Sequence, residues 1–242
     1  EVTITATEFY EKVRSESDFP KTTQPPVGLF VEKFEQLAKD YVDIVTIHLS
    51  SGISGTYNGA VQAGQMVEGV NVFAFDSEIA CGPQGMFAIE AAKMASKGMS
   101  GAEIIAKLEE LKKTMDAYFI VGDLSHLQRG GRLSAASAFI GGLLQVKPIL
   151  HFRDKVIVPF EKIRTRKKAM RRVEEQFAEA IKVDPNLQAV IIHANCEEEG
   201  RKWMEHLASE YPTADFKLGY FGPVIGTHLG EGAIAMGWMK KI

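Results

Sequence analysis

"LSSGISGTYNGA", Leu49 to Ala60, decides how the first half of this chain folds. It follows the apolar run "DIVTIHL" without a proline between them, then crowds serines, threonine and glycines together. A continuous apolar run of this length reads as a strand buried on both faces, here Val42 to Leu49, and the small polar residues as its turn into a helix. The spacing predicts that helix over Gly55 to Met66 with Ser54 as its N-cap. A second apolar run, "VNVFAF" from Val70 to Phe75, predicts the next strand. Strand, helix and strand at this length make a βαβ crossover, so the two strands are parallel.

Working outward, Phe30, Val31, Phe34, Leu37 and Ala38 share one face of a helix that precedes the first strand. Helices are expected again over Gly85 to Lys97 and Gly101 to Met115. The second opens with a capping box, Ser100 to Glu103, and carries Ile104, Leu108, Leu111 and Met115 on one stripe. Past Met115 the rhythm changes. "AYFIVG", "KPILHF" and "KVIVPF" are short strands, and the last two are separated only by Arg153 and Asp154, which forces a hairpin. Helices over Lys167 to Lys182 and Glu197 to Tyr211 then alternate with the strands "AVIIHA", "FKLGYF" and "AIAMGWM". The expected fold class is therefore α/β in two domains. Residues 1–115 form a parallel α/β domain, and residues 116–242 a mostly antiparallel or mixed sheet covered by helices. No internal repeat or low-complexity linker marks the boundary.

Composition excludes several classes. In 242 residues, 28 lysines and arginines nearly balance 31 aspartates and glutamates, and a formal charge of -3 gives no reason to expect a nucleic-acid partner. The two cysteines, Cys81 and Cys196, are too few for a disulfide framework and lack zinc spacing, so reduced thiols and no metal are expected. No window reaches the roughly 18 apolar residues of a membrane span, and no signal-peptide pattern opens the chain. The expected location is the cytoplasm. The chain starts at Glu1 inside what reads as a strand, the pattern of a fragment or processed chain.

Four polar clusters carry the candidate chemistry. The loop after "DIVTIHL" lies at the carboxyl end of a parallel strand, where α/β ligands bind, and a helix N-terminus there offers free N–H groups with the Ser54 and Thr56 hydroxyls. The same serines serve equally well as a helix cap. No GxGxxG or GxxxxGK[ST] motif is present, so nucleotide binding is not supported. "KTTQPPVG" from Lys21 offers the Thr22 and Thr23 hydroxyls in a loop stiffened by Pro25 and Pro26. "LQRGGRLS", Leu127 to Ser134, flanks paired glycines with arginines, and "GTHLGEGAIA" sets His228 before a glycine-rich turn.

These motifs, in this order and spacing, resemble those of the DegV family, the fatty-acid-binding subunits that serve bacterial fatty acid kinase. The family's "TSQPS" is similar to "TTQPP" at Thr22 to Pro26, and "SSxLSGTYxxA" to "SSGISGTYNGA" at Ser50 to Ala60. "DS" before a glycine-rich helix start stands at Asp76 and Ser77, and "DLxxLxxGGRIS" becomes "DLSHLQRGGRLS" at Asp123 to Ser134. "LLxIKPIL", "KxRTxxKA" and "THxGxGA" become "LLQVKPIL", "KIRTRKKA" and "THLGEGA", ending at Ala233. The resemblance covers essentially the whole chain. The family's opening strand with its "DSTxD" loop would lie before Glu1, so part of the first sheet and one wall of the head-group site are expected to fall outside this sequence. Thr23 and Pro26 each stand where the family has serine, which keeps one hydroxyl and loses one.

The resemblance implies a bound long-chain fatty acid as ligand, with no other cofactor, its carboxylate at the domain interface and its tail buried. It places the carboxylate on Thr22, Ser54 and His228, with Thr23 beside them, a set of hydroxyls and one imidazole that matches a carboxylate's oxygens without a buried cation. "ASAFIGGLLQVKPIL" is the expected tail lining, through Phe139, Ile140, Leu143 and Leu144; an ordinary core helix leading into a strand fits the same residues. The implied role is not catalytic: the chain presents the carboxylate to a separate kinase, which makes an acyl phosphate for phospholipid synthesis, with transient membrane-surface contact for lipid exchange. The basic run "RTRKKAMRR", Arg164 to Arg172, reads either as a solvated helix face or as a docking surface for that kinase, with Arg132 and Arg164 near the head group. Two rivals remain. Dihydroxyacetone kinase subunits are similar in fold and trap a carbonyl on histidine, which would make His228 a nucleophile with only Glu231 as an acid or base partner; or the chain senses lipid without a kinase.

Overall fold

The computed structural model describes residues 3–15, 19–122, 124–133 and 147–242. The chain divides into two compact units, one of Thr23–Thr114 and the other of the residues before Thr23 together with Met115–Lys241. The first 22 residues, expected in the N-terminal domain, thus group with the C-terminal half. The reason is local packing of α1 (Ala6–Ser15) within that half. Its Tyr10 hydroxyl donates to the Phe221 carbonyl at 2.8 Å, and the same ring lies so close to Gly226 that a Cβ there would sit 2.5 Å from the tyrosine oxygen.

In the Thr23–Thr114 unit the order is α2 (Val27–Leu37), β1 (Asp43–His48), α3 (Thr56–Gly64), β2 (Asn71–Asp76), α4 (Cys81–Ser96) and α5 (Gly101–Lys112). The two strands pair in parallel from Asp43 opposite Asn71 to His48 opposite Asp76, as the crossover requires. Phe34, Ile44, Ala60 and Ala63 form the core between α2, α3 and the sheet, with Phe30, Val31 and Leu37 packed on it. On α4, Met86, Phe87, Ala91 and Met94 are buried, with the Phe87 and Phe75 rings 5.2 Å apart. The capping box of α5 is present, both Ser100 and Glu103 bonding across the first turn.

Three local expectations are corrected. Only Ile44 and His48 of β1 are buried, and Val42, just outside the strand, is 74% exposed; among the described residues this sheet has two strands, so each has one edge without a strand neighbour. Gly55, not Ser54, is the N-cap of α3. The Ser50 carbonyl accepts from both Ile53 and Ser54, and that turn carries Ser54 one place ahead of the cap. Finally, α4 begins four residues before Gly85, at Cys81; Pro83 sits in the first turn, where its missing N–H costs nothing.

The second unit contains β3 (Asp116–Ile120), α6 (Ser125–Arg129), β4 (Lys147–Arg153), β5 (Val156–Ile163), α7 (Arg166–Val183), β6 (Leu187–His193), α8 (Glu197–Glu210), β7 (Asp215–Tyr220), α9 (Pro223–Leu229) and β8 (Ile234–Lys240). Its six strands run β5-β4-β3-β8-β6-β7. Only β6 and β7, joined through α8, are parallel, so the sheet is mixed. Phe177 of α7 and Trp203 and Leu207 of α8 pack on Tyr118, Ile191, Met236 and Trp238 of the sheet. The hairpin turn falls at Asp154–Lys155, one residue later than the sequence suggests. Both residues have positive φ, 49° and 71°, which is the backbone of the turn whose twist matches a two-residue hairpin. No described helix is long and apolar enough to cross a membrane.

Candidate functional site

The site grows from α9. Its last turn ends in Thr227, His228 and Leu229, and Gly230 follows with φ 77°, a left-handed exit that favours glycine. This buries His228 and points its ring back into the C-terminal unit, where Nε2 lies 2.7 Å from the Thr22 hydroxyl. Gly130 forms the opposite wall: a Cβ there would stand 2.2 Å from His228 Nδ1, so glycine is what leaves room for the ring. Arg132 folds back to donate to the Gly130 carbonyl.

The chain before Thr22 is held by an aromatic clamp that the sequence did not announce. Phe19 packs against His126 with ring centroids 4.6 Å apart, and the Arg129 guanidinium lies 4.6 Å above the same phenyl ring. His126 Nδ1 in turn is 3.3 Å from the Thr227 carbonyl. So α6 grips both Phe19, three residues ahead of Thr22, and the helix that carries His228. Phe19 and His126 lie 107 positions apart, and only His126 stands inside a motif.

Burial, then the charge of Arg132, then His126, holds the His228 imidazole below its ordinary value. It is neutral at pH 7. A neutral imidazole and a hydroxyl bring two protons to their shared bond and use one. If Thr22 donated to Nε2, the spare proton would sit on Nδ1, which is buried with no hydrogen-bond partner among the described residues. An orphaned buried donor costs about 1–3 kcal/mol, so the favoured arrangement has Nε2–H donating to Thr22 and a bare lone pair on Nδ1. The half-buried Thr22 hydroxyl then keeps its proton for an outside acceptor.

Thr23 and Ser54 belong to the Thr23–Thr114 unit. Thr23 is exposed and donates to its neighbour's carbonyl at Gln24, 3.2 Å away. Ser54 Oγ accepts the Thr56 N–H at 3.3 Å and lies 2.8 Å from the Thr56 hydroxyl. The adjoining serines are structural: Ser51 gives both its N–H and hydroxyl to Asp76, at 3.1 and 2.6 Å, and the Ser77 hydroxyl donates to the His48 carbonyl at 2.7 Å. Gln24 reaches the glycine of "SGT", where a Cβ on Gly55 would collide with its side-chain oxygen at 1.8 Å. Two motifs read separately in the sequence therefore meet in space.

Arg164 is exposed. Within the same basic run Arg166 bonds Glu199 through Nε and Nη2 at 2.7 and 2.6 Å, and Arg172 pairs with Glu161 and Glu175. Part of the run is thus committed to ion pairs. Glu231, the one acid considered as a partner for His228, instead accepts from Asn195 and pairs with Arg14. The residues expected to line the tail, Phe139, Ile140, Leu143 and Leu144, lie outside the described residues. Among the described residues no cluster of histidine, cysteine or acid side chains could hold a metal ion.

A family model described as an uncharacterised protein of the DegV family matches residues 1–241. The chain belongs to the DegV family. The protein DegV of Bacillus subtilis strain 168 is 55% identical over 234 residues, 96% of this chain and 83% of its own length. Among solved structures, DegV from Bacillus subtilis, described as a fatty acid binding protein, is 53% identical with a TM-score of 0.94 over 100% of this chain and 86% of its own. A fatty acid binding DegV family protein from Streptococcus agalactiae is 33% identical with a TM-score of 0.91, covering 99% and 85%.

Proposed function

We propose that this chain binds a long-chain fatty acid and presents its carboxylate to a separate fatty acid kinase, which converts it to an acyl phosphate; the chain itself is a carrier and not a catalyst. The observation that carries the reading is the Thr22–His228 couple, which holds one hydroxyl proton available beside a neutral, buried imidazole. The fatty acid binding described for the relatives from Bacillus subtilis and Streptococcus agalactiae supports it. Ser54 is the second hydroxyl assigned to the carboxylate and Thr23 a lesser contact.

Hydroxyls suit this task better than a cation. A buried ion pair would hold the carboxylate's charge and blunt its attack on a phosphoryl group, whereas neutral donors fix its position and leave it nucleophilic. Affinity comes from the other end: burying about fourteen methylenes at about 0.8 kcal/mol each gives roughly 11 kcal/mol gross, against about 1 kcal/mol net for each head-group bond. Arg132 and the exposed Arg164 supply positive charge for the phosphoryl group and for docking of the kinase. Organic extraction of the purified chain followed by mass spectrometry tests the reading. A stoichiometric long-chain acid supports it, and a chain that carries none and takes up none on incubation contradicts it.

A further inference from the structure

A cavity of about 480 Å³ lies in the C-terminal unit, at the carboxyl ends of its parallel strand pair. His193 ends β6, Tyr220 ends β7, Asn195 and Glu197 lead into α8, and Thr7 and Tyr10 of α1 close the outside. Crevices at the carboxyl ends of parallel strands are where α/β folds bind small molecules, and this volume is within the usual range of about 300–1,000 Å³. Neither Thr22 nor His228 lines it.

The independent observation is His193. Its side chain is 8% exposed, lines the cavity, and makes no hydrogen bond to any described residue. One ring edge, at Cδ2, packs toward α8, where a Cβ on Gly200 would lie 3.5 Å away, and Nδ1 is sealed from solvent. With Nδ1 sealed, Nε2 is the nitrogen that can reach the cavity His193 lines. Sealing a lone pair costs less than sealing an N–H, so the proton belongs on Nε2, which offers a donor to whatever enters. Burial keeps the ring neutral, holding its pKa below the ordinary value.

The lining sets the ligand's chemistry. No lysine or arginine is among the described residues that line the cavity; Arg201 and Arg14 are turned to Glu197 and Glu231. Glu197 is paired with Arg201, so a phosphate entering the cavity would meet no unpaired cation, while Tyr220, 55% exposed, lines the cavity with an aromatic ring. We infer that this cavity is a second ligand site for an uncharged, ring-bodied, hydroxyl-bearing molecule, a sugar or a nucleoside, that accepts a hydrogen bond from His193 and stacks on Tyr220.

Titration of the ¹⁵N-labelled full chain with glucose, adenosine and AMP, followed on the His193 ring nitrogens, tests the site. Saturable shifts with glucose identify a sugar site, shifts with adenosine a nucleoside site, and shifts with both the shared chemistry; AMP is expected to bind at least tenfold more weakly than adenosine wherever adenosine binds. His193→Gln, or Tyr220→Ala should the first variant fail to fold, is expected to weaken binding at least tenfold when affinity is read by calorimetry on the variant and the parent chain. No shift with glucose or adenosine, AMP binding as tightly as adenosine, or unchanged affinity in the variant overturns the assignment.

Discussion

The Thr22 hydroxyl lies 2.7 Å from Nε2 of His228 although 206 positions separate them in the chain. This bond joins the loop before α2 to the last turn of α9 and fixes which of the two groups has a proton to give. If that proton meets a fatty acid carboxylate, Thr22→Val keeps the shape of the site and loses the donor. We expect affinity for a long-chain acid to fall by about 1 kcal/mol, roughly fivefold, by fluorescence displacement. Unchanged affinity, together with an unchanged rate of acyl phosphate formation, would remove Thr22 from the head-group site.

The tail should dominate tightness. If the tail is buried as proposed, each added methylene along a series of saturated acids is expected to improve affinity by about 0.8 kcal/mol, close to fourfold, until no more of the chain is buried. A flat series measured by calorimetry would mean that the alkyl chain stays in water.

Gly130 is the wall of the His228 pocket, so Gly130→Ala places a methyl group 2.2 Å from Nδ1. The expected cost is about 1–3 kcal/mol in urea denaturation, from overpacking against a buried ring. Combining it with His228→Ala should recover most of that cost; strictly additive losses would show that the two residues do not press on each other.

Burial depresses the imidazoles of His48, His151, His193 and His228 below their ordinary value. The unfolded chain titrates them near about 6.5, so below that pH it takes up more protons than the folded chain. Their stabilising contribution is complete above about 6.5 and is lost as pH falls through the depressed values. The urea midpoint should therefore fall between pH 7.5 and 5.5, and fall less in His228→Gln than in the parent chain. A midpoint that rises on acidification contradicts these shifts. Asp116, whose carboxyl burial raises, contributes in the opposite sense, which is why the comparison with the variant matters.

If the exposed Arg164 guanidinium docks the kinase as proposed, Arg164→Glu is expected to spare fatty acid binding and abolish phosphorylation by the kinase. Equal loss of both activities would rule that division out.

How much of this was legible depended on the distance over which residues act. The capping box at Ser100 and Glu103 is a four-residue signal and was read correctly, as were the parallel pairing of β1 with β2 and the β4–β5 hairpin. Local rules missed by one residue where a turn absorbed an extra position, at Gly55 and at Asp154–Lys155. They missed the Phe19–His126–Arg129 clamp and the fit of Gly130 to His228 entirely, since those contacts join residues about a hundred positions apart and leave no periodicity behind. Thr22 and His228 were each singled out from the sequence, but the proton arithmetic that links them needs the geometry.

The most direct test is the carbon-13 spectrum of a long-chain fatty acid labelled at its carboxyl carbon, added to the chain. The account predicts a single slowly exchanging resonance, distinct from free acid, that changes position in Thr22→Val and His228→Gln while the acid stays bound. A missing bound resonance, or one that both variants leave in place, would contradict it.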